Sequence, residues 1–234
     1  MKQEEIWINH VKSLSVDDVL EEYNHPAAFQ IQLKEIINSY ANQYSKIIEV
    51  GCETGVTSLL LNDTFKKTFL DLNPIAISLA EKAAKNLNKK GQFVVADMFQ
   101  MPFPEESFDI VFNAGVLEHF NFNDRKKALK EYQRILKQGG IMIIAFPNHY
   151  CTPYRFSYLV RILFKKWPYP LEYKLYNLKK ELLDCNLRLE KRFTVSKETI
   201  YKWVEFIKPL QIVFKLLDRF IDYEGYLTVL LVRK

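Results

Sequence analysis

Apolar residues fall along the chain in two rhythms. From residue 46 onward, short runs rich in β-branched and aromatic side chains recur at 46–50, 68–72, 92–96, 108–113 and 141–146. Runs of that length, bounded by glycine, asparagine or aspartate, read as buried strands. Between them the apolar positions shift to helical spacing: Ala76, Leu79, Ala80, Ala83 and Leu87, then Leu129, Tyr132 and Leu136. Strand and helix in alternation predict a parallel sheet with helices on both faces. Gly139-Gly140 is expected to close the last of these helices, and Pro147 to stop the strand that follows.

Ahead of the sheet, Ser15-Val16-Asp17-Asp18 has the form of a capping box, and Ile36, Ile37, Tyr40 and Tyr44 mark a further helix. Residues 1–45 therefore read as a helical extension in front of a domain over 46–234. Beyond residue 147, the segment 148–176 is crowded with aromatics and prolines, and Phe156, Leu159, Val160, Leu163, Phe164 and Trp167 recur in it at helical spacing. A helix is expected near 178–185 and strands at 187–195 and 226–233. A second apolar stripe lies between the two strands, from Trp203 and Val204 through Ile207, Leu210, Val213 and Leu217 to Phe220, where Pro209 should divide or kink the helix. The two stripes predict a helical cap over about 148–225, lying on the sheet, over an apolar acceptor, at a dimer interface or on anionic lipid.

Composition narrows this picture. With 48% hydrophobic and 26% charged residues the chain is ordinary for a folded globular protein. The longest apolar run, 141–146, is far short of the roughly 18 residues of a membrane span. Acids at Glu4 and Glu5 stand where a secretory signal needs basic residues. Three scattered cysteines, Cys52, Cys151 and Cys185, make neither a disulfide framework nor a zinc set, so no metal is expected and a reducing cytoplasm is the expected setting. The net charge of +5 is uneven: residues 1–150 hold 16 basic against 19 acidic side chains, and residues 151–234 hold 17 against 9. The second part either meets something anionic or is a solvated basic face.

The chemistry concentrates at Ile47-Ile48-Glu49-Val50-Gly51-Cys52-Glu53-Thr54-Gly55, a strand running through glycines into a helix. Such a turn lets a ligand approach the backbone beside a helix N-terminus. Asp71 follows twenty residues after Gly51, at the end of the second strand, where an acid can accept both hydroxyls of a ribose. A dinucleotide fingerprint needs glycine at 51, 53 and 56, but Glu53 and Val56 stand there. A Glu53 carboxylate would also repel a pyrophosphate, whereas a phosphate-free sulfonium ligand tolerates it.

Five blocks in order then resemble the class I S-adenosylmethionine-dependent methyltransferases, in the branch that includes quinone-biosynthesis and small-molecule enzymes. They are Glu49 to Gly55, Phe69-Leu70-Asp71-Leu72-Asn73, Ala96-Asp97-Met98 with Met101-Pro102-Phe103, Phe108-Asp109-Ile110-Val111 leading into Gly115-Val116-Leu117-Glu118-His119-Phe120, and Arg134 to Gly140. The resemblance implies an α/β, Rossmann-like, doubly wound sheet of seven mostly parallel strands with an antiparallel terminal strand. It implies S-adenosylmethionine as cofactor, S-adenosylhomocysteine as product and methyl transfer to a small acceptor, apolar or anionic.

By the same resemblance, Glu49, Gly51, Cys52 and Gly55 would surround the methionine part, with Glu49 near its ammonium. Asp71 would hold the ribose, Leu72 would pack on the adenine, Asp97 and the backbone at Met98 would read its edge, and Asn113 and Ala114 would lie beside the methyl group. Glu53 departs from the family's usual glycine. Taken alone, Asp71 could equally cap the next helix, and Cys52 reads as a small buried filler. His119 and His149 are candidate bases on the acceptor side, with Tyr150 beside them. Nucleic acid is not the expected acceptor, for no dedicated module is present. The chain is expected as a monomer or homodimer with room for peripheral membrane contact; the alternative is a non-catalytic scaffold that keeps the fold.

Overall fold

The computed structural model describes residues 3–221 and 223–234. Three helices, α1 (Gln3–Lys12), α2 (Val16–Asn24) and α3 (Ala28–Tyr40), precede the first strand. The capping box is formed: the Ser15 hydroxyl accepts the Asp18 N–H at 3.2 Å, and the Asp18 carboxylate accepts the Ser15 N–H at 2.7 Å. Strand and helix then alternate as β1 (Lys46–Val50), α4 (Val56–Leu60), β2 (Lys66–Asp71), α5 (Pro74–Asn86), β3 (Gln92–Val95) and β4 (Phe108–Ala114). A 3-10 turn (Leu117–His119), α6 (Phe122–Ile135) and β5 (Leu136–Pro147) follow. The cap region holds α7 (Thr152–Leu163), α8 (Lys179–Asp184), β6 (Arg188–Val195), a 3-10 stretch (Lys197–Val204) and α9 (Lys208–Leu217), and β7 (Leu227–Arg233) ends the sheet.

The seven strands lie in the order β3-β2-β1-β4-β5-β7-β6. Strands β1 to β5 pair in parallel, and β7 runs antiparallel between β5 and β6. The expected fold class is therefore observed. Alternate residues serve opposite faces. Ile48, Val50, Val111, Met142 and Leu230 pack with Leu129, Tyr132 and Leu182 of α6 and α8, while Ile47, Phe112, Ile143 and Leu231 pack with Leu33 and Ile37 of α3. Burial on both faces is why these strands read as unbroken apolar runs.

One local expectation is corrected. Helix α6 ends at Ile135, and Gly139-Gly140 lie inside β5, where the pairing jumps from Phe108–Leu136 to Ile110–Ile141. Residues 137–140 bulge opposite the single Asp109; Gly139 takes φ +70°, and a Cβ on Gly140 would stand 3.0 Å from the Asp109 carbonyl. The second stripe is divided as expected, for the 3-10 stretch ends at Val204 and α9 starts at Lys208, beside Pro209. The proline sits in the first turn of α9, where its missing N–H has no partner to lose. The aromatic segment after β5 contains the helix its apolar spacing predicts, α7, which likewise has a proline, Pro153, in its first turn.

The turn from β1 into α4 depends on Phe69. Gly55 caps α4 with φ +72°, and a Cβ there would stand 2.5 Å from the Phe69 ring. Gly91 leaves the same clearance on the other edge of the ring, and Phe93 stacks on it at 4.7 Å. Phe69 is fully buried. Phe69→Ala is expected to lower stability by about 3–5 kcal/mol, the usual cost of emptying such a site. Urea unfolding followed by circular dichroism checks this, and a loss below about 1 kcal/mol would show that the site collapses around the gap.

Candidate active site

Strand order reverses between β1 and β4, the point at which an open α/β sheet leaves a crevice beyond its carboxyl ends. A cavity of about 810 Å³ occupies that crevice. One end is built by the loop after β1. Leu70 of β2 accepts the N–H groups of Gly51 (2.8 Å) and Cys52 (3.0 Å), and the Asp71 carboxylate accepts that of Glu53 at 2.9 Å. Gly51 has φ +71°, and a Cβ on it would stand 2.7 Å from Val116. Glu53 also takes positive φ, +49°, a conformation that favours glycine.

Its side chain has a partner that accounts for its presence. The Glu53 carboxylate lies 3.1 Å from His10 Nε2, which joins the loop to α1. Donation from the imidazole ring to the Glu53 carboxylate raises the His10 pKa above its ordinary 6.5, against the opposing effect of burial.

Asp71 does not cap the next helix, since Asn73 does so by accepting the Ile75 N–H at 3.0 Å. The Asp71 carboxylate faces the cavity with one backbone N–H on each oxygen, from Glu53 and Asn73, leaving further lone pairs free. Burial raises its pKa despite these bonds. Leu72, just past the end of β2, is 53% exposed on the same wall. Asp97, Met98 and Ala114 line the wall as well.

Four of the residues expected around the cofactor stand off the cavity wall. Glu49 is buried and accepts the Ser58 N–H at 3.2 Å, and desolvation pushes its pKa up to about 8. Burial pushes the Cys52 thiol up, so it is no nucleophile. Gly55 serves the packing on Phe69. Asn113, buried below Ala114, donates to the Tyr132 hydroxyl at 3.1 Å, and its own carbonyl oxygen has no hydrogen-bond partner.

The other end of the cavity is aromatic. Trp7 of α1 meets His119 edge-on at 5.4 Å and Tyr169 at 5.4 Å; Tyr169 meets Trp167 at 5.5 Å. Tyr154 then joins Trp167 (6.3 Å) to Trp203 (4.7 Å) and Tyr226 (4.9 Å). All line the cavity. His119 is 7% exposed, and desolvation lowers its pKa to about 4. Its Nδ1 lies 3.4 Å from the Leu171 carbonyl.

His149 and Tyr150 are not brought to this wall. The His149 ring stands edge-on to Tyr176 at 4.9 Å, and Tyr150 is 56% exposed. The sequence reading missed Glu118, Glu172, Trp7, Tyr154, Trp203 and Tyr226 as wall residues. Glu118 alone carried a local signal, as the neighbour of His119.

The family model described as "Methyltransferase domain" matches residues 48–144. An uncharacterized protein of Haemophilus influenzae is 35% identical over 112 residues, 46% of this chain and 45% of that protein. The demethylmenaquinone methyltransferase of Thermotoga maritima is 32% identical over 102 residues, 42% of each chain. The chain thus aligns with less than half the length of these two relatives. A solved S-adenosylmethionine-dependent methyltransferase of Methanosarcina mazei shares the fold, with a TM-score of 0.60 over 84% of this chain and 95% of that one at 22% identity. Motif order and sheet topology agree with the matched segment: residues 48–144 match a methyltransferase domain, and the chain shares the fold of the solved methyltransferase.

Proposed function

We propose that the protein transfers a methyl group from S-adenosylmethionine to a small acceptor with an apolar body. The observation that carries this reading is the single cavity joining Gly51, Asp71 and Asp97 to a chamber of aromatic rings. The residues present fit the cofactor. Gly51 leaves its backbone bare where any side chain would collide with Val116. Asp71 offers free lone pairs for the ribose hydroxyls, Leu72 an apolar surface for the adenine, and Asp97 with the Met98 N–H a polar edge to read it. Glu49, Cys52, Gly55 and Asn113 shape the loop and floor from behind, and Ala114 leaves space at the reacting end.

When bound, the cofactor supplies a methyl group whose bonding pair stays on the neutral sulfur. The chain's part is to hold the acceptor close and keep the site dry. Trp7, Ile8 and Val11 of α1 cover one side of the cavity, and the His10–Glu53 pair fastens that helix to the cofactor loop. His119, with a pKa near 4, is too weak a base to take a proton at neutral pH and serves to orient the acceptor. Of the two acceptor chemistries left open by the sequence, the ring-lined wall supports the apolar one, since an anion would face carboxylates there.

The cap supports a second, compatible reading: attachment to an anionic membrane surface. Among the described residues no helix is long and apolar enough to cross a membrane. Yet Leu159, Leu163 and Phe164 at α7, and Ile212, Leu216 and Phe220 at α9, are exposed, Phe220 by 86%. Lys165, Lys166, Lys208, Lys215 and Arg219 are exposed beside them. An apolar face edged with cations suits an anionic bilayer.

Three outcomes are expected. Titration calorimetry should give micromolar-range binding of S-adenosylhomocysteine and none of NADH, and Asp71→Ala should weaken that binding by about 1–3 kcal/mol. An unchanged affinity removes Asp71 from the site, and no binding to the wild type favours a scaffold. The His10–Glu53 pair raises the folded-state pKa of His10, so its stabilisation is full below 6.5 and fades as pH rises through the folded value. Melting temperatures of the wild type and His10→Gln should therefore differ at about pH 5.5 and converge by about pH 8.5. A gap of constant size would mean the contact is not ionic. Phosphatidylglycerol vesicles should pellet the protein at low salt and release it as salt rises; absence of pelleting at every salt concentration leaves the cap as packing alone.

A further inference from the structure

The cavity is acidic although the chain around it is basic. Among the described residues its wall carries six carboxylates, Glu22, Glu53, Asp71, Asp97, Glu118 and Glu172, against one ammonium, Lys202. Most of the six are accounted for. Asp71 and Asp97 belong to the cofactor end, Glu53 pairs with His10, and Glu22 accepts the Gln30 amide at 2.7 Å. The Glu172 side chain is 4% exposed but neutralised: the Arg155 guanidinium lies 2.6 Å from one oxygen, and the Tyr154 hydroxyl donates to the other.

Glu118 is different. It is 3% exposed, and its Oε2 has no hydrogen-bond partner. Its Oε1 lies 3.9 Å from His119 Nε2, on a ring that is neutral above about pH 4. Facing groups from other elements are Glu172 and Arg155, which act on it in opposite senses, and Tyr226. Desolvation pushes the Glu118 pKa up to about 8. A carboxyl with no lysine or arginine of the described residues in ion-pair contact, and with Oε2 lacking a hydrogen-bond partner, is thus set in the wall of a cavity whose rings, Trp7, Tyr154, Trp167, Tyr169, Trp203 and Tyr226, form a continuous band.

From the unpartnered Glu118 carboxyl and the adjoining aromatic band we infer that the acceptor is an amine, bound as its ammonium ion, with Glu118 as its counter-charge. This rests on the methyltransferase reading above and names the acceptor class for that site. Aromatic faces attract a cation and pack an apolar body equally well, while a buried carboxylate supplies the charge-assisted hydrogen bond that fixes the nitrogen. Glu118 then has a chemical task. An ammonium nitrogen has no free electron pair, so one N–H proton passes to the carboxylate, leaving a neutral amine whose lone pair forms the bond to the methyl carbon as the methyl–sulfur bond breaks and its pair stays on sulfur. The methylated nitrogen carries the positive charge, and the proton on Glu118 leaves to solvent. A base with a pKa near the working pH can both take and release it.

Equilibrium titrations with three matched pairs test this: 2-phenylethylamine, tryptamine and octylamine, each against the alcohol of the same shape, with and without saturating S-adenosylhomocysteine. At least one amine should bind about tenfold more tightly than its alcohol. Glu118→Gln should bring that pair within about twofold while leaving S-adenosylhomocysteine affinity as in the wild type. Amine affinity in the wild type should also rise between about pH 6.5 and about pH 8.5 as Glu118 ionises, and stay level in Glu118→Gln. No amine preference in any pair, including no measurable binding at all, overturns the inference, as does a preference that survives Glu118→Gln. Absence of S-adenosylhomocysteine binding would instead sink the cofactor reading, and the arm without it still decides the amine.

Discussion

Three consecutive backbone N–H groups, those of Gly51, Cys52 and Glu53, are tied to the end of β2 through the Leu70 carbonyl and the Asp71 carboxylate. The rest of the site depends on this attachment. It turns the chain sharply out of β1, so that α4 can start at Gly55 over the Phe69 ring, and it leaves the loop facing the crevice between β1 and β4. Asp71 thereby has two functions in one group, holding the loop and presenting its remaining lone pairs to the cavity. A loop fixed in this way before any ligand arrives loses little entropy when one binds.

The same attachment explains how glutamate is tolerated at position 53. A left-handed residue other than glycine carries a strain of about 1–2 kcal/mol. Here the N–H bond to Asp71 and the contact with His10 offset it. The substitution ties the glycine loop to a helix more than forty residues earlier, so α1 becomes part of the cavity wall through Trp7, Ile8 and Val11.

Sequence patterning made the sheet legible because its strands are covered on both faces and read as apolar runs. Asp71 was legible by its spacing from Gly51, and the loop end of the cavity follows from those two positions. The aromatic end was not, because Trp7, Glu118, Tyr154, Trp203 and Tyr226 come from five separate segments that only the fold brings together. His149 misled for the matching reason: its position after β5 suggests the crevice, yet its ring turns to Tyr176. Gly139-Gly140 looked like a helix stop because glycine ends helices and relieves strand bulges through the same freedom of φ.

Charge was the least legible property, since a count along the chain does not separate outside from inside. The basic excess after residue 150 includes exposed lysines of the cap, while carboxylates line the cavity beneath. This segregation has a thermodynamic consequence. Glu49 and Glu118 keep their protons to about pH 8 in the folded chain but lose them near 4.5 when unfolded. The folded state therefore binds more protons across that window, and stability falls as pH rises through it. At neutral pH these two buried acids are a source of instability, and a positive charge entering the cavity relieves the part of it due to Glu118. Affinity for a cation and tolerance of a buried acid are thus two readings of one electrostatic term, and removing the acid to stabilise the fold would remove the reason for the cation to bind.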